Sequence, residues 1–361
     1  MFLDKYTEFP HKYFPAKKEN YVSGKPVLTI IQDAFYNLPL VKQAIESILN
    51  QTYSNVELML IDNGAVEDVA LYLREVYETK ENVSFVKFDK NVFSWNDPCI
   101  NVSVCWNVGL SYCKGDYVSH LAYDDMMSPN YADKMVGLFL ENPNCVTASP
   151  AIFSIDSNGK VNGNYIDKNL RGRFTKGLDL ALDFLNGNPK KLFSAPGEIF
   201  SIRKEVLLRE GGFDRNVDVS QLLKYAIFGD SGYDPEAKVF WRHHPTQVNK
   251  LSKARGEVFY QSLTKGWDES RILEIWESLF DEQTSSLVKK FKKNQISSTV
   301  YGIVEENVSD YRIIAILLSL KNVLKDCPQF FIPSCLIVLK GVLKFPFVFT
   351  SILLRKLKFT I

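Results

Sequence analysis

Apolar and polar positions in the first third of the chain fall into alternating short blocks and helical stripes. Pro26-Val27-Leu28-Thr29-Ile30-Ile31 is a compact apolar run rich in β-branched residues, the pattern of a buried strand. Leu40, Val41, Ala44, Ile45, Ile48 and Leu49 then recur at helical spacing, which predicts a helix with one face on a sheet. Val56 to Ile61 predicts a second strand ending at Asp62-Asn63-Gly64, and helical spacing resumes from Val69 to Tyr77. Val83 to Val86 predicts a third strand, Val104 to Cys113 a helix, and Tyr117 to Leu121 a fourth strand. Strands alternating with helices predict an α/β fold with a mostly parallel central sheet flanked by helices.

The fourth strand runs into Asp124-Asp125, with Pro129 shortly after. A strand ending in paired acids delivers them to the carboxyl edge of a sheet, where open α/β folds bind ligands. Adjacent carboxylates repel unless a cation neutralises them, and hard oxygen donors suit Mg²⁺ or Mn²⁺. Neither G-x-G-x-x-G nor G-x-x-x-x-G-K-[ST] occurs, so the dinucleotide and P-loop fingerprints are absent.

Composition narrows the class. The 361 residues are 46% hydrophobic and 13% aromatic, which fits a folded globular chain and excludes a disordered one. A formal charge of +1 provides no global field to recruit nucleic acid. The six cysteines (Cys99, Cys105, Cys113, Cys145, Cys327 and Cys335) form no C-x-x-C pair and there are four histidines, a usage of buried thiols in a reducing compartment. Met1 to Lys25 lacks the apolar core of a signal peptide, so a cytoplasmic location is expected.

Several segments in a fixed order carry a family resemblance. They are Pro26–Ile31, Phe35-Tyr36-Asn37, Ala44 to Tyr53, Ile61-Asp62-Asn63-Gly64, Trp106-Asn107-Val108-Gly109-Leu110, Lys114-Gly115-Asp116-Tyr117 and the Asp124-Asp125 strand end. Gly211-Gly212-Phe213-Asp214, Asp218 and Trp241-Arg242-His243-His244-Pro245-Thr246-Gln247 continue the series. Over roughly residues 25 to 250 the chain resembles the family 2 glycosyltransferases. These have the GT-A fold and transfer a sugar from a nucleotide sugar with inversion at the anomeric carbon.

The resemblance implies a role for each matching residue. Asp124 corresponds to the retained acid of the D-x-D motif, which holds a divalent metal (Mn²⁺ or Mg²⁺) on the diphosphate; Ala122 stands where the first acid usually is. His244 follows Trp241-Arg242 at the family spacing and is expected at the metal or diphosphate, where a neutral imidazole could compensate for Ala122. Asp62 is expected to accept the imide N–H of uracil or thymine. Phe35 or Tyr36 would stack on that base, and Asn37, Asn107 and Asp125 complete the expected nucleotide-binding set. Asp218 corresponds to the general base, with Val217 rather than an acid before it, on the segment leading into an expected helix at Leu222–Gly229. Asp214 is expected to hold its loop, and Ala195–Phe200 to be a strand on the acceptor side. Trp106 replaces a basic residue common in relatives.

Beyond residue 250 the resemblance stops. Ile272, Ile275, Trp276, Leu279 and Phe280 predict an amphipathic helix, and Ile313 to Leu324 a second. Pro328 to Ile361 is apolar with interspersed Lys340, Lys344, Arg355, Lys356 and Lys358, and no uncharged run approaches the ~20 residues needed to span a bilayer. Such a segment reads as lying in a membrane interface, on the inner face of the cell membrane; a packing or dimer surface is the alternative. The expected organisation is an N-terminal extension (1–24), a GT-A domain (25–250, with the nucleotide-sugar half at 25–130 and the acceptor half at 131–250) and a helical C-terminal region (251–361). The expected activity moves a sugar from a UDP or dTDP sugar to a glycan or lipid-linked acceptor. A catalytically silent nucleotide-sugar-binding or scaffolding relative is the competing reading, suggested by Ala122, Val217 and Trp106.

Overall fold

The computed structural model describes residues 9–94, 97, 100–164, 172–187, 201–215, 221–245, 247 and 257–309, with 320, 321, 324, 334, 335 and 338. The expected parallel run forms the centre of the sheet. Strands β2 (Leu28–Ala34), β3 (Val56–Asp62) and β4 (Val83–Phe88) are parallel neighbours, and β5 (Tyr117–His120) pairs parallel with β2 on its other side. Helix α1 (Leu38–Leu49) links β2 to β3, α2 (Glu67–Thr79) links β3 to β4, and α3 (Ile100–Tyr112) links β4 to β5.

Around that centre the sheet becomes mixed. Strand β1 (His11–Phe14) pairs antiparallel with β4, so the segment read as an N-terminal extension supplies an edge strand. Past β5 come β6 (Met126–Met127), α4 (Tyr131–Glu141), β7 (Cys145–Ile155), β8 (Val161–Asn164), β9 (Phe174–Lys176), α5 (Gly177–Leu185), β10 (Ser201–Arg203), α6 (Lys204–Arg209) and β11 (Asp230–Arg242). The strand order is β1-β4-β3-β2-β5-β10-β7-β11-β6, with β8 on β7 and β9 on β11. The long pair β7 and β11 is parallel, and its register shifts between Asp234 and Lys238. That bulge accommodates Pro235, which has no amide hydrogen to donate to a ladder.

Alternation along β2 separates two cores. Leu28, Ile30 and Ala34 face α1, α2 and α4, whereas Ile31 faces α3 and the C-terminal helices. Helix α3 has no polar face, with Val104 through Leu110 all buried, because it is sandwiched between the sheet and the helices that follow residue 257. Gly109 lets it settle close to the strands: a Cβ there would stand 3.0–3.2 Å from Ile61, Ile31 and Met59.

The expected amphipathic helix spans Ile272–Leu279, flanked by helices Glu257–Glu269 and Glu282–Ser309 that periodicity did not reveal. The helix expected at Leu222–Gly229 is instead a π turn over Gln221–Tyr225 followed by a 3₁₀ turn over Ala226–Phe228. Its close packing explains the irregular winding: Trp276 donates its indole N–H to Leu223 O (2.5 Å), and Tyr225 donates its hydroxyl to Gly212 O. The Ala195–Phe200 and Ile313–Leu324 expectations and the 328–361 tail fall wholly or almost wholly outside the described residues. Among the described residues, no helix is long and apolar enough to cross a membrane.

Candidate active site

The carboxyl ends of β2, β3 and β5 lie side by side because those strands are parallel neighbours, and the chemistry-bearing side chains gather there. Asp62 ends β3, opposite Ala34 of β2 and Lys87 of β4. Its Oδ1 accepts the Ala65 amide (2.8 Å), which sets the turn after the strand. Burial pushes the Asp62 carboxyl up, opposed by that amide and by Lys87. The turn cannot take a side chain at Gly64: its φ is 56°, and a Cβ would lie 2.2 Å from the Asn91 nitrogen. This close approach brings the loop after β4 against the turn that follows β3.

Four aromatic rings edge the mouth. Phe35 lies nearly parallel to Phe93 at 6.2 Å between centroids and packs against Tyr36 (4.5 Å) and Tyr123 (5.8 Å). The Tyr36 and Tyr123 hydroxyls are hydrogen-bonded at 2.5 Å. Asn37 takes a left-handed conformation (φ 67°) and its carbonyl accepts the first amides of α1 from Leu40 and Val41, so it starts the helix.

Behind the mouth lies a residue the sequence reading missed. Asp33 is a buried acid near the end of β2; its Oδ1 accepts the Trp106 indole N–H (2.9 Å) and its Oδ2 the Asn101 amide (2.9 Å). Burial raises its carboxyl, and the charge of Asp124 adds to the effect. Trp106, where a basic residue was expected, thus satisfies an acid of its own pocket. The available signal was an Asp inside an otherwise apolar strand. Asn101 also accepts from Asn63, whose Oδ1 accepts the Val92 amide (2.8 Å). Asn107 is fully buried and clamps Phe213, giving to its carbonyl (2.8 Å) and accepting from its amide (2.7 Å). It shapes the site through the turn it holds.

The acid pair sits in the loop between β5 and β6. Asp124 Oδ2 and His244 Nε2 are hydrogen-bonded at 2.8 Å, both buried, from positions 120 residues apart. Asp125 Oδ1 accepts the Arg242 amide (2.8 Å); burial first, then the Asp124 charge, pushes the Asp125 carboxyl well up. Arg242 is itself fully buried, and burial lowers its pKa. Its guanidinium donates to Asp124 O (2.7 Å), Ser157 O (3.2 Å) and Gln43 Oε1 (2.8 Å), fastening the acid loop to β11 and α1. Gln247 donates to Arg242 O (2.5 Å) and holds the His244 turn.

Asp124 and His244 are the described residues that could hold a divalent ion, as two ligands. Asp124 offers a carboxylate and His244 an imidazole nitrogen; among the described residues no three of His, Cys, Asp and Glu converge as a metal cage. Such a site suits an ion completed by phosphate oxygens and water. Asp218 lies outside the described residues. Asp214, by contrast, is fixed: its Oδ1 pairs with Lys224 Nζ at 2.9 Å, with both side chains buried.

The chain is 24% identical over 233 residues to an uncharacterized glycosyltransferase of Haemophilus influenzae, covering 63% of this chain and 80% of that protein. It is 25% identical over 156 residues to the chondroitin synthase of Escherichia coli, covering 42% of this chain and 21% of that enzyme. Among several further relatives the matched part is between 14% and 38% of their length. The Staphylococcus aureus TarS 1–349 structure in complex with UDP-GlcNAc aligns with a TM-score of 0.48 at 10% identity, over 84% of this chain and 92% of that one. The family model described as glycosyltransferase like family 2 matches residues 35–228, more than half of the chain, running from the aromatic mouth to the turn before β11. The protein therefore belongs to the family 2 glycosyltransferases, sugar-transferring enzymes.

Proposed function

We propose that the protein is an inverting transferase using a UDP or dTDP sugar, with a glycan or lipid-linked acceptor in surface-polysaccharide assembly. The observation that carries this reading is the convergence of Asp62, the Phe35–Tyr36–Phe93–Tyr123 mouth and the Asp124–His244 pair at one sheet edge. The aromatic mouth offers stacking area for a base, and Asp62, an acceptor when ionised, selects a base that presents an N–H there. Asp125 is anchored toward the same loop and is proposed to orient a ribose or sugar hydroxyl.

Direct displacement needs a base for the acceptor hydroxyl, worth about 10²–10⁴ in rate, and Asp218 is assigned that role. A divalent ion held by Asp124 and His244 would neutralise the charge left on the departing diphosphate. The chain's own part is to hold those two side chains in place, which Arg242 and Gln247 do through the backbone of the acid loop and the His244 turn. Chondroitin synthase makes a polysaccharide, as its name states, and that supports the acceptor class. Contact with an anionic membrane through residues 328–361 completes the proposal, a packing or dimer surface being the alternative for that tail.

Two measurements test it. UDP or dTDP should raise the melting temperature, by the equivalent of roughly 2.7 kcal/mol at 100 times the dissociation constant, and Asp62→Ala should remove the effect. Equal stabilisation by CMP would refute a base-reading Asp62. Calorimetric titration of Asp124→Ala should show diphosphate binding weakened far more than binding of the bare nucleoside, because the ion sits on the phosphates. Binding of UDP by the parent that is unchanged by EDTA would remove the metal from the proposal.

A further inference from the structure

Outside the pocket, one ionic cluster joins three parts of the chain that are remote in sequence. Asp97 lies in the loop after β4, and its carbonyl accepts the Ile100 amide (3.1 Å), the first amide of α3. Arg215 closes the Gly211–Asp214 turn and immediately precedes the 216–220 segment. Its guanidinium donates to Asp97 Oδ2 and, through Nε, to Glu269 Oε2 (2.6 Å) of the Glu257–Glu269 helix. Ser262 of that helix donates to Asp97 Oδ1 (2.6 Å), and Lys265 Nζ stands 3.6 Å from Asp97. The Arg215 and Asp97 side chains are only 10% and 18% exposed, so this is not a solvated surface pair.

Both ends of this cluster lead into the site. Through Asn101, Trp106 and Asn107, helix α3 holds Asp33, Asn63 and the Phe213 backbone. The turn that Arg215 closes carries Asp214, locked to Lys224. We infer that Asp97 and Arg215 are positioning residues that couple the nucleotide side of the site to the acceptor side, with the Glu257–Glu269 helix as their brace. The inference rests on the function proposed above, since it concerns transfer between those two sides. A planar guanidinium suits the task because its fork satisfies two carboxylates on different elements at once, which a lysine ammonium does not reproduce.

The test compares Asp97→Asn, Arg215→Gln, the double variant and Arg215→Lys in the full chain. UDP affinity is read by calorimetry, turnover as hydrolysis of a panel of UDP- and dTDP-hexoses, and amide exchange by mass spectrometry. Each single variant should lower kcat by about 10–100-fold while UDP affinity stays within a few-fold. The double variant should be no slower than the worse single, and Arg215→Lys should recover part of the loss. Exchange should quicken together in 100–107 and 211–215 and remain unchanged in β2 and β3. Folded single variants with the parent's kcat, or UDP affinity lost in step with kcat, would overturn the coupling. The exchange arm is independent of catalysis. If the parent turns over neither UDP- nor dTDP-hexoses, the proposed function fails, while linked exchange still decides whether the clasp exists.

Discussion

Asp218→Asn should lower sugar transfer by about 10²–10⁴ while leaving donor affinity within a few-fold of the parent. The substitution keeps the size and most of the hydrogen bonding of the side chain but cannot take a proton. Its motivation is positional: a single acid between the fixed Asp214 turn and the π turn at Gln221–Tyr225. Steady-state rates with a saturating acceptor and titration with UDP together decide it. An active Asp218→Asn enzyme would assign the base to another carboxylate.

Asp214→Ala gives the second large effect, on stability rather than on chemistry. Asp214 and Lys224 form an ion pair at 2.9 Å with both side chains almost wholly buried. Removing one partner of such a pair leaves an uncompensated buried charge and costs about 3–5 kcal/mol. Chemical denaturation should therefore show a loss of that size in Asp214→Ala and a smaller one in Asp214→Asn, which keeps an oxygen for Lys224 Nζ. Asp214→Ala/Lys224→Met should recover much of the loss, because an apolar pair needs no compensation. Turnover per folded molecule should fall less in Asp214→Asn than in Asp218→Asn. A denaturation midpoint unmoved by Asp214→Ala would show that the pair does not support this turn.

The two variants separate roles that the sequence places four residues apart. The sequence reading expects Asp214 to hold its loop and Asp218 to act as the base. Asp214 is committed to Lys224, and Tyr225 and Trp276 lock the turns around it.

Local pattern was enough for the central part of the fold. Strands β2, β3, β4 and β5 and helices α1, α2 and α3 are legible because burial on both faces of a parallel strand demands an apolar run and each covering helix needs its stripe. The acid pair at Asp124-Asp125 was legible for the same reason: chain direction in a parallel sheet sends strand ends to one edge. Strand β11 was not legible, since Pro235 and Glu236 interrupt it, and only its pairing with β7 shows that they lie in a register shift between Asp234 and Lys238. The turns at Gln221–Phe228 were hidden too, because their winding answers to Trp276 and Gly212 rather than to their own residues.

The sequence by itself determined the α/β class, the family and the sheet edge where the chemistry lies. Tertiary structure alone decided the pairings of Trp106 with Asp33 and Arg242 with the acid loop at that edge, and of Arg215 with Asp97 outside it. The reason is physical. Periodicity records which face of an element is buried, and that is a local property of the chain. A buried polar group must instead find a donor or acceptor of the right shape, and the path of the whole chain sets which residue stands within 3 Å.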